Sequence, residues 1–366
     1  MSLMLRYPLP PRVTPQAETG CSPFWSVMIP AYNRTQYLEK TLRSVLAQDP
    51  GPEEMQIEVV DDASSIDDPG PIVRRIAGDR VRFVRNPRNL GLMPNFNNCI
   101  ERSRGHWVHI LHTDDFVYPG FYQRLRTPLE ARSDIGAAFC RHVVIDENER
   151  CLWTSELESP TAGILPEFIE KIGVSQRIQF ASMVVRRSIY ENLGGFRLDL
   201  PQAADWEMWI RIAAHFPIWY EPTTLAAWRN HSQSATAAMT ISGETAVDMR
   251  RCIEISRAWL PPDRAETISR RAKELVCLWE LSVTSQDDAV LGLVEELFDA
   301  SRPHPISRPR VANELLRAAH IHHRQGRRLQ ALVYVARAVL TRPIVAGRPL
   351  KRAVSSLFRK SHTQTD

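Results

Sequence analysis

The sequence predicts an α/β chain: a largely parallel sheet with helices on its faces, followed by a helical C-terminal region. Three observations carry this. Short β-rich runs alternate with helical patterns through the first half of the chain. Polar residues gather where successive strands end. From about residue 240 onward the pattern is helical, with hardly a strand signal.

Taken in order, residues 1–22 read as an extended lead-in and 24–30 (FWSVMIP) as a first strand ending at Pro30. Residues 35–48 follow as a helix, with Thr35 placed as its N-cap and Leu38, Leu42, Val45 and Leu46 at helical spacing. Strand 55–62, helix 71–79 and strand 80–85 come next, then helix 92–105 closed by Gly105 and strand 106–112. The second half is less regular. It reads as strand 136–146, helix 164–173, a strand, helix and Gly-Gly turn over 179–196, an apolar helix 203–216 and two short strands within 218–231. The division expected is a lead-in over 1–22, an α/β domain over 23–238 and a helical region over 239–366.

The 366 residues suffice for one large domain with an appendage, or for two domains. With 43% hydrophobic and 24% charged residues the chain is globular, and a net charge of +4 makes no case for nucleic acid. Six cysteines, Cys21, Cys99, Cys140, Cys151, Cys252 and Cys277, form no C-x-x-C pair, which argues against a zinc site of that type. They read as reduced, mostly buried thiols of a cytoplasmic protein. The N-terminal stretch lacks the apolar core of a signal peptide, and no apolar run is long enough to span a bilayer.

In parallel α/β sheets ligands bind outside the carboxyl ends of the strands. Those ends carry Ala31-Tyr32-Asn33-Arg34, Asp61-Asp62, Asn86 to Gly91, and Asp114-Asp115. Two adjacent carboxylates coexist when a cation sits beside them, and Mg²⁺ or Mn²⁺ takes oxygen ligands shared with substrate phosphates. One carboxylate then holds the metal while its neighbour takes a sugar hydroxyl. Taken alone, the pair reads rather as capping the turn and the short helix that begins near Phe121.

Several spaced motifs bear on this choice. SVMIPAYNR, IEVVDDAS, NPRNLGLMPNFNNCIERSRGHWVHILHTDD and GGF followed by ADWEMWIR occur in this order over about residues 24–231, and together resemble the family 2 glycosyltransferases. Two departures from commoner members are Asn95, where Ala is usual, and His112-Thr113-Asp114-Asp115, where D-x-D-D is usual. The last two aspartates are kept.

The resemblance implies the GT-A fold, Rossmann-like and three-layered, and an inverting transfer from a nucleotide-sugar donor, UDP- or dTDP-linked, to a saccharide, lipid-linked or other hydroxyl acceptor. It places Pro30, Ala31, Tyr32 and Asn33 along the nucleotide and Asp61 or Asp62 at the base or ribose. Asn89 and Gly91 would help close that pocket. It makes Asp115 the metal ligand, for Mn²⁺ or Mg²⁺, and gives Asp114 the donor sugar or ribose. Asp205 matches the catalytic base. Many relatives have Glu before the base, where this chain has Ala204. Glu207 is the next candidate. WRNHSQSAT resembles a further family stretch, in which His231 is a metal or diphosphate ligand and Arg229 a phosphate contact. The pathway implied is bacterial polysaccharide or glycoconjugate synthesis.

Two other classes stand beside this reading. A nucleotidyltransferase should show a Gly-rich phosphate loop after the first strand, and IPAYNR has no glycine. A degenerate nucleotide-sugar-binding protein is opposed by the intact Asp115 and Asp205. In the C-terminal region, 329–340 reads as a packed helix, with no second copy at a fixed period. The basic, amphipathic stretch 348–361 reads either as a solvated terminus or as a peripheral contact with anionic lipid.

Overall fold

The computed structural model describes residues 7–16, 22–283, 287–301 and 308–341. The chain divides into two compact units, Met1–Leu260 and Pro261–Asp366.

The first unit opens with β1 (Trp25–Ala31), α1 (Leu38–Leu46), β2 (Met55–Asp61), α2 (Gly70–Ala77), β3 (Arg82–Arg85), α3 (Leu92–Arg102) and β4 (Trp107–Ile110). Strands β3, β2, β1 and β4 lie side by side and all parallel. Their register aligns Ala31 with Asp61 and Asp61 with Arg85, so three strands end on one line. Every residue of β1 and β2 is buried, as a central parallel sheet covered on both faces requires. Trp25, Val27, Ile29 and Ala31 pack with Leu38, Leu42 and Val45 of α1. The alternate residue Ser26 meets the chain leaving α3, taking hydrogen bonds from the amides of Arg104 and Gly105.

Next come β5 (Phe116–Val117), α4 (Phe121–Ala131), β6 (Ala137–Ile145), β7 (Cys151–Thr154), β8 (Gly163–Ile164), α5 (Phe168–Ile172), β9 (Met183–Arg186), α6 (Arg187–Leu193), α7 (Ala204–Ala213) and β10 (Ile218–Arg229). They extend the same sheet through β9, β6, β10 and β5, with β9 antiparallel to both β4 and β6. Helices α8 (Ala235–Ser242) and α9 (Glu244–Ser256) complete the unit. They fall within the first unit, past the expected division at 238. The Asp248 carboxylate of α9 accepts from the amides of Gln202 and Ala203 at 2.7 Å, and Trp259 donates to Glu207 at 3.2 Å.

Three local expectations change. Thr35 does not cap α1: its hydroxyl donates to Asp67 at 2.6 Å, and the helix begins at Leu38. Helix α3 ends at Arg102, ahead of Gly105. Gly105 is needed for close approach instead, since a Cβ there would lie 2.5 Å from the Trp25 carbonyl carbon. Residues 218–229 form one strand with two irregularities, not two strands.

The second unit contains α10 (Ala265–Val283), α11 (Asp287–Ser301), α12 (Arg308–Arg324) and α13 (Arg328–Thr341). Leu281, Val294, Leu297, Leu315, Ala331 and Tyr334 share its core. Arg337 pairs with Glu295 at 2.6 Å across α13 and α11. No helix among the described residues is long and apolar enough to cross a membrane. Cys99, Cys140, Cys252 and Cys277 are buried and Cys151 is exposed, while Cys21 and the basic stretch 348–361 lie outside the described residues.

Candidate active site

A cavity of about 630 Å³ opens at the aligned strand ends. Pro30, Ala31, Tyr32, Asn33, Asp62, Asn89, Gly91, Asp114, Asp115, Asp205 and Arg229 all line it. Residues separated by up to 199 positions thus meet because parallel strands deliver their C-termini to one edge. Two expected residues do not line it. Asp61 is fully buried behind its neighbour, taking hydrogen bonds from the Ser64 hydroxyl and, at 2.5 Å, from Arg85. His231 lines an adjoining cavity of about 300 Å³ that shares Asp114.

Asp62 reaches the cavity as the anchor of the loop after β3. One carboxylate oxygen accepts from Asn86 Nδ2 at 2.8 Å and the Leu90 amide at 2.9 Å, and the other accepts from the Gly91 amide at 2.9 Å. Asn86 also bonds Asn95 and Asn98 of α3. Asn95, the departure from the usual Ala, is buried and completes this network by donating to the Val60 carbonyl at 3.3 Å. Asn33, at φ +50°, plays the same part after β1: its Oδ1 accepts from the amides of Ser65 and Ile66. Two loops at this end of the sheet are therefore held by asparagine and aspartate side chains.

Asp114 and Asp115 leave β4 in a turn that points them to different partners. Asp114 Oδ2 lies 3.0 Å from His231 Nε2. Asp115 is buried, and its Oδ1 accepts from the Arg229 amide at 2.9 Å. Its Oδ2 and His112 Nε2 are buried without a hydrogen-bond partner. His112, Asp114 and Asp115 bring ligand atoms within 4.8 Å of one another. Burial, then the Asp114 charge, pushes the Asp115 carboxyl well up. For Asp114 burial acts upward, but lowering effects led by the His231 hydrogen bond outweigh it and hold the carboxyl low. Burial lowers His112, keeping it a neutral potential ligand. A buried carboxylate oxygen without a partner, beside a second carboxylate and an imidazole, is a donor set that fits a divalent cation.

Arg229, the expected phosphate contact, lines the cavity with its side chain bonded to neighbouring loops. Its guanidinium donates to the carbonyls of Asp114 and Asp146, pairs with Glu149 and lies 4.1 Å from the Tyr37 ring centroid. It pins the Asp114-Asp115 turn to the loop after β6.

Asp205 stands in the first turn of α7, partly exposed toward the cavity. It accepts from Gln176 Nε2 at 2.7 Å and from the Trp206 amide at 2.6 Å. Burial raises its pKa to about 7, against the pull of those two hydrogen bonds. A carboxylate with that pKa is poised to exchange a proton near neutrality. Glu207 is no substitute, being fully buried in an ion pair with Arg211 at 2.9 Å. Arg211 in turn donates to the carbonyls of Leu193, Gly194 and Gly195. Asn97 holds the same turn through Phe196, and a Cβ on Gly195 would lie 2.3 Å from Asn97 Oδ1. Asn97, Asn98, Gln176 and Arg211 were not singled out from the sequence, and Asn86 and Asn95 were noted there without these roles. For Asn95, Asn97 and Asn98 the one sequence signal was an asparagine-rich stretch on an otherwise amphipathic helix.

Residues 26–194 match the family model described as glycosyl transferase family 2. This domain belongs to glycosyltransferase family 2. Residues 26–194 are thus a glycosyltransferase domain, and the nucleotidyltransferase alternative is set aside. It is 29% identical over 270 residues to an uncharacterized protein of Mycobacterium tuberculosis, covering 70% of this chain and 81% of that one. It is 26% identical over 231 residues to an uncharacterized glycosyltransferase of Rickettsia felis, covering 61% of this chain but 36% of that one. Among solved structures it resembles Staphylococcus aureus TarS 1-349 in complex with UDP-GlcNAc, with a TM-score of 0.62 at 16% identity over 88% of this chain and 92% of that one. It also resembles the mannosyltransferase PcManGT of Pyrobaculum calidifontis in complex with GDP-Man and Mn²⁺, with a TM-score of 0.53 at 19% identity over 92% and 90%. The family 2 domain has the GT-A fold of these neighbours.

Proposed function

We propose that the family 2 domain transfers a sugar, with inversion, from a nucleotide-sugar donor to an acceptor hydroxyl, using Asp205 as general base. The observation that carries this is that the raised Asp205 carboxyl and the unpartnered Asp115 oxygen face one cavity of about 630 Å³. Asp205 removes the proton from the acceptor hydroxyl, and that oxygen forms the new bond to the anomeric carbon. The bond from that carbon to the diphosphate breaks on the opposite side, so the configuration inverts. No enzyme nucleophile intervenes, unlike the double displacement of retaining glycosidases.

Asp115, with Asp114 and His112, would hold Mn²⁺ or Mg²⁺, which offsets charge on the leaving diphosphate. His231 orients the Asp114 carboxylate, and Arg229 holds the Asp115 carboxylate and the Asp114 carbonyl. Pro30, Ala31, Tyr32 and Asn33 line the nucleotide, and Asp62, with Asn89 and Gly91, shapes the loop that closes over it. A UDP- or dTDP-linked donor is our reading, and the UDP-GlcNAc complex of TarS supports the first of these. The role follows as polysaccharide or glycoconjugate synthesis in the cytoplasm. Both carboxylates that transfer requires are present, so the binding-only alternative is not carried forward.

The test is nucleoside diphosphate release from a panel of nucleotide sugars with Mn²⁺, followed by the anomeric configuration of the product. Retained configuration overturns the mechanism. No release from any donor overturns the function.

A further inference from the structure

We propose that Trp153 and Trp228 form a platform along which a saccharide acceptor lies as it enters the cavity. This assignment of the acceptor class rests on the transfer reading above.

All four residues of β7 are exposed, with Trp153 at 52%. A half-exposed indole on a strand forgoes the burial that ordinarily places tryptophan inside, and its flat apolar body with a polar N–H suits contact with a partly wet ligand. The sheet register shows where this one leads. Trp153 pairs with Val144 of β6, and Val144 pairs with Trp228 of β10. Directly paired residues project from the same face of a sheet. The alternate residues Val143, Ile145 and Ala227 cluster with Phe116 on the other face. Trp153, Val144 and Trp228 therefore make one row across three strands. Trp228 lines the main cavity together with Asp205 and Asp114. Val144, between the two indoles, is 1% exposed.

The row runs outward from the reaction cavity to the sheet edge over roughly 10 Å, two inter-strand spacings. That span exceeds one sugar ring, so it suits an oligosaccharide or the glycan part of a larger acceptor. A pyranose ring has a C–H face and a hydroxyl rim. The flat indole takes the apolar face while the rim stays in water. The chain beyond β7 carries balanced charges, Glu156 and Glu158 pairing with Arg177 and Glu158 also with Lys171. It lacks the positive excess that an anionic lipid surface would attract.

The experiment compares wild type, Trp153→Ala and Trp153→Phe, with Mn²⁺ and nucleotide sugars. Two products are read: free sugar from donor hydrolysis, and sugar transferred to an array of defined oligosaccharides. Hydrolysis is expected to be equal in all three. Transfer by Trp153→Ala should require roughly tenfold more oligosaccharide, the scale of leaving one apolar sugar face in water, and Trp153→Phe should restore most of it. Equal acceptor KM in Trp153→Ala and wild type overturns the platform. Donor hydrolysis without transfer to any saccharide overturns the acceptor class. No hydrolysis by the wild type overturns the transfer reading beneath both.

Discussion

Asn97 and Phe196 exchange two hydrogen bonds: the Phe196 amide donates to Asn97 Oδ1 at 2.7 Å, and Asn97 Nδ2 donates to the Phe196 carbonyl at 2.8 Å. Through this pair α3, which also anchors the Asp62 loop, reaches the Gly194-Gly195-Phe196 turn that resembles the family's acceptor loop. Asn97→Ala leaves both backbone groups without their partner. We expect a stability loss of about 1–3 kcal/mol and a raised acceptor KM, with donor hydrolysis less affected. Thermal melting and steady-state kinetics check it; an unchanged acceptor KM would break the link.

Asp115 carries the metal expectation. Divalent-cation stimulation and the Mn²⁺-induced rise in melting temperature should both disappear in Asp115→Ala and in Asp115→Asn. The Asn variant also removes a buried carboxyl whose ionisation burial opposes. Without metal it should melt no lower than wild type. Sugar transfer by Asp115→Ala at the wild-type rate would show the assignment to be wrong.

Asp62 holds three donors in the loop from Asn86 to Gly91. Asp62→Ala should weaken UDP binding and also lower the melting temperature, because Leu90 and Gly91 lose their acceptor. Asp62→Asn should do nearly as much, since its amide would face backbone donors. Calorimetric titration with UDP showing wild-type affinity would remove Asp62 from the nucleotide pocket.

Asp205 should set the pH profile. With a pKa near 7, the base is protonated below neutrality, so kcat/KM should rise as pH passes through about 7. Asp205→Asn should fall by roughly 10²–10⁴-fold, the usual loss for a general base, with donor affinity retained. Stability runs the other way. The folded pKa is raised, so between about pH 4, where an unfolded Asp titrates, and pH 7 the folded chain keeps a proton the unfolded chain releases. This group therefore makes stability fall as pH rises through that window. Asp205→Asn should flatten the slope, and melting curves from pH 4 to 8 read it.

Peripheral membrane contact is expected from the C-terminal charge. From Arg302 onward the chain has fourteen Lys and Arg against Glu314 and Asp366. Leu329, Leu332, Val333 and Leu340 of α13 are exposed. Flotation with anionic vesicles should carry the full chain, lose it at high salt, and lose it for a chain ending before Arg348. Equal flotation of both chains would exclude a role for the basic stretch.

Much of the fold was legible because its signals are local. Alternating β-rich and amphipathic runs set β1 to β4 and α1 to α3, and parallel topology then required their polar ends to share one edge. Asp62, Asp114 and Asp115 could be named because each stands where a strand ends, and Asp205 because its motif resembles that of the family. The sequence by itself thus determined the α/β class, the edge at which chemistry gathers and the carboxylates there. Tertiary structure decided what each side chain is paired with. It turned Asp61 inward to Arg85, spent Arg229 on carbonyls, closed Glu207 into an ion pair with Arg211, and gave the α3 asparagines two loops to hold. It also packed α9 against α7. The physical reason is that hydrogen bonds and ion pairs between residues far apart in the chain depend on packing geometry, which leaves no periodicity in the sequence.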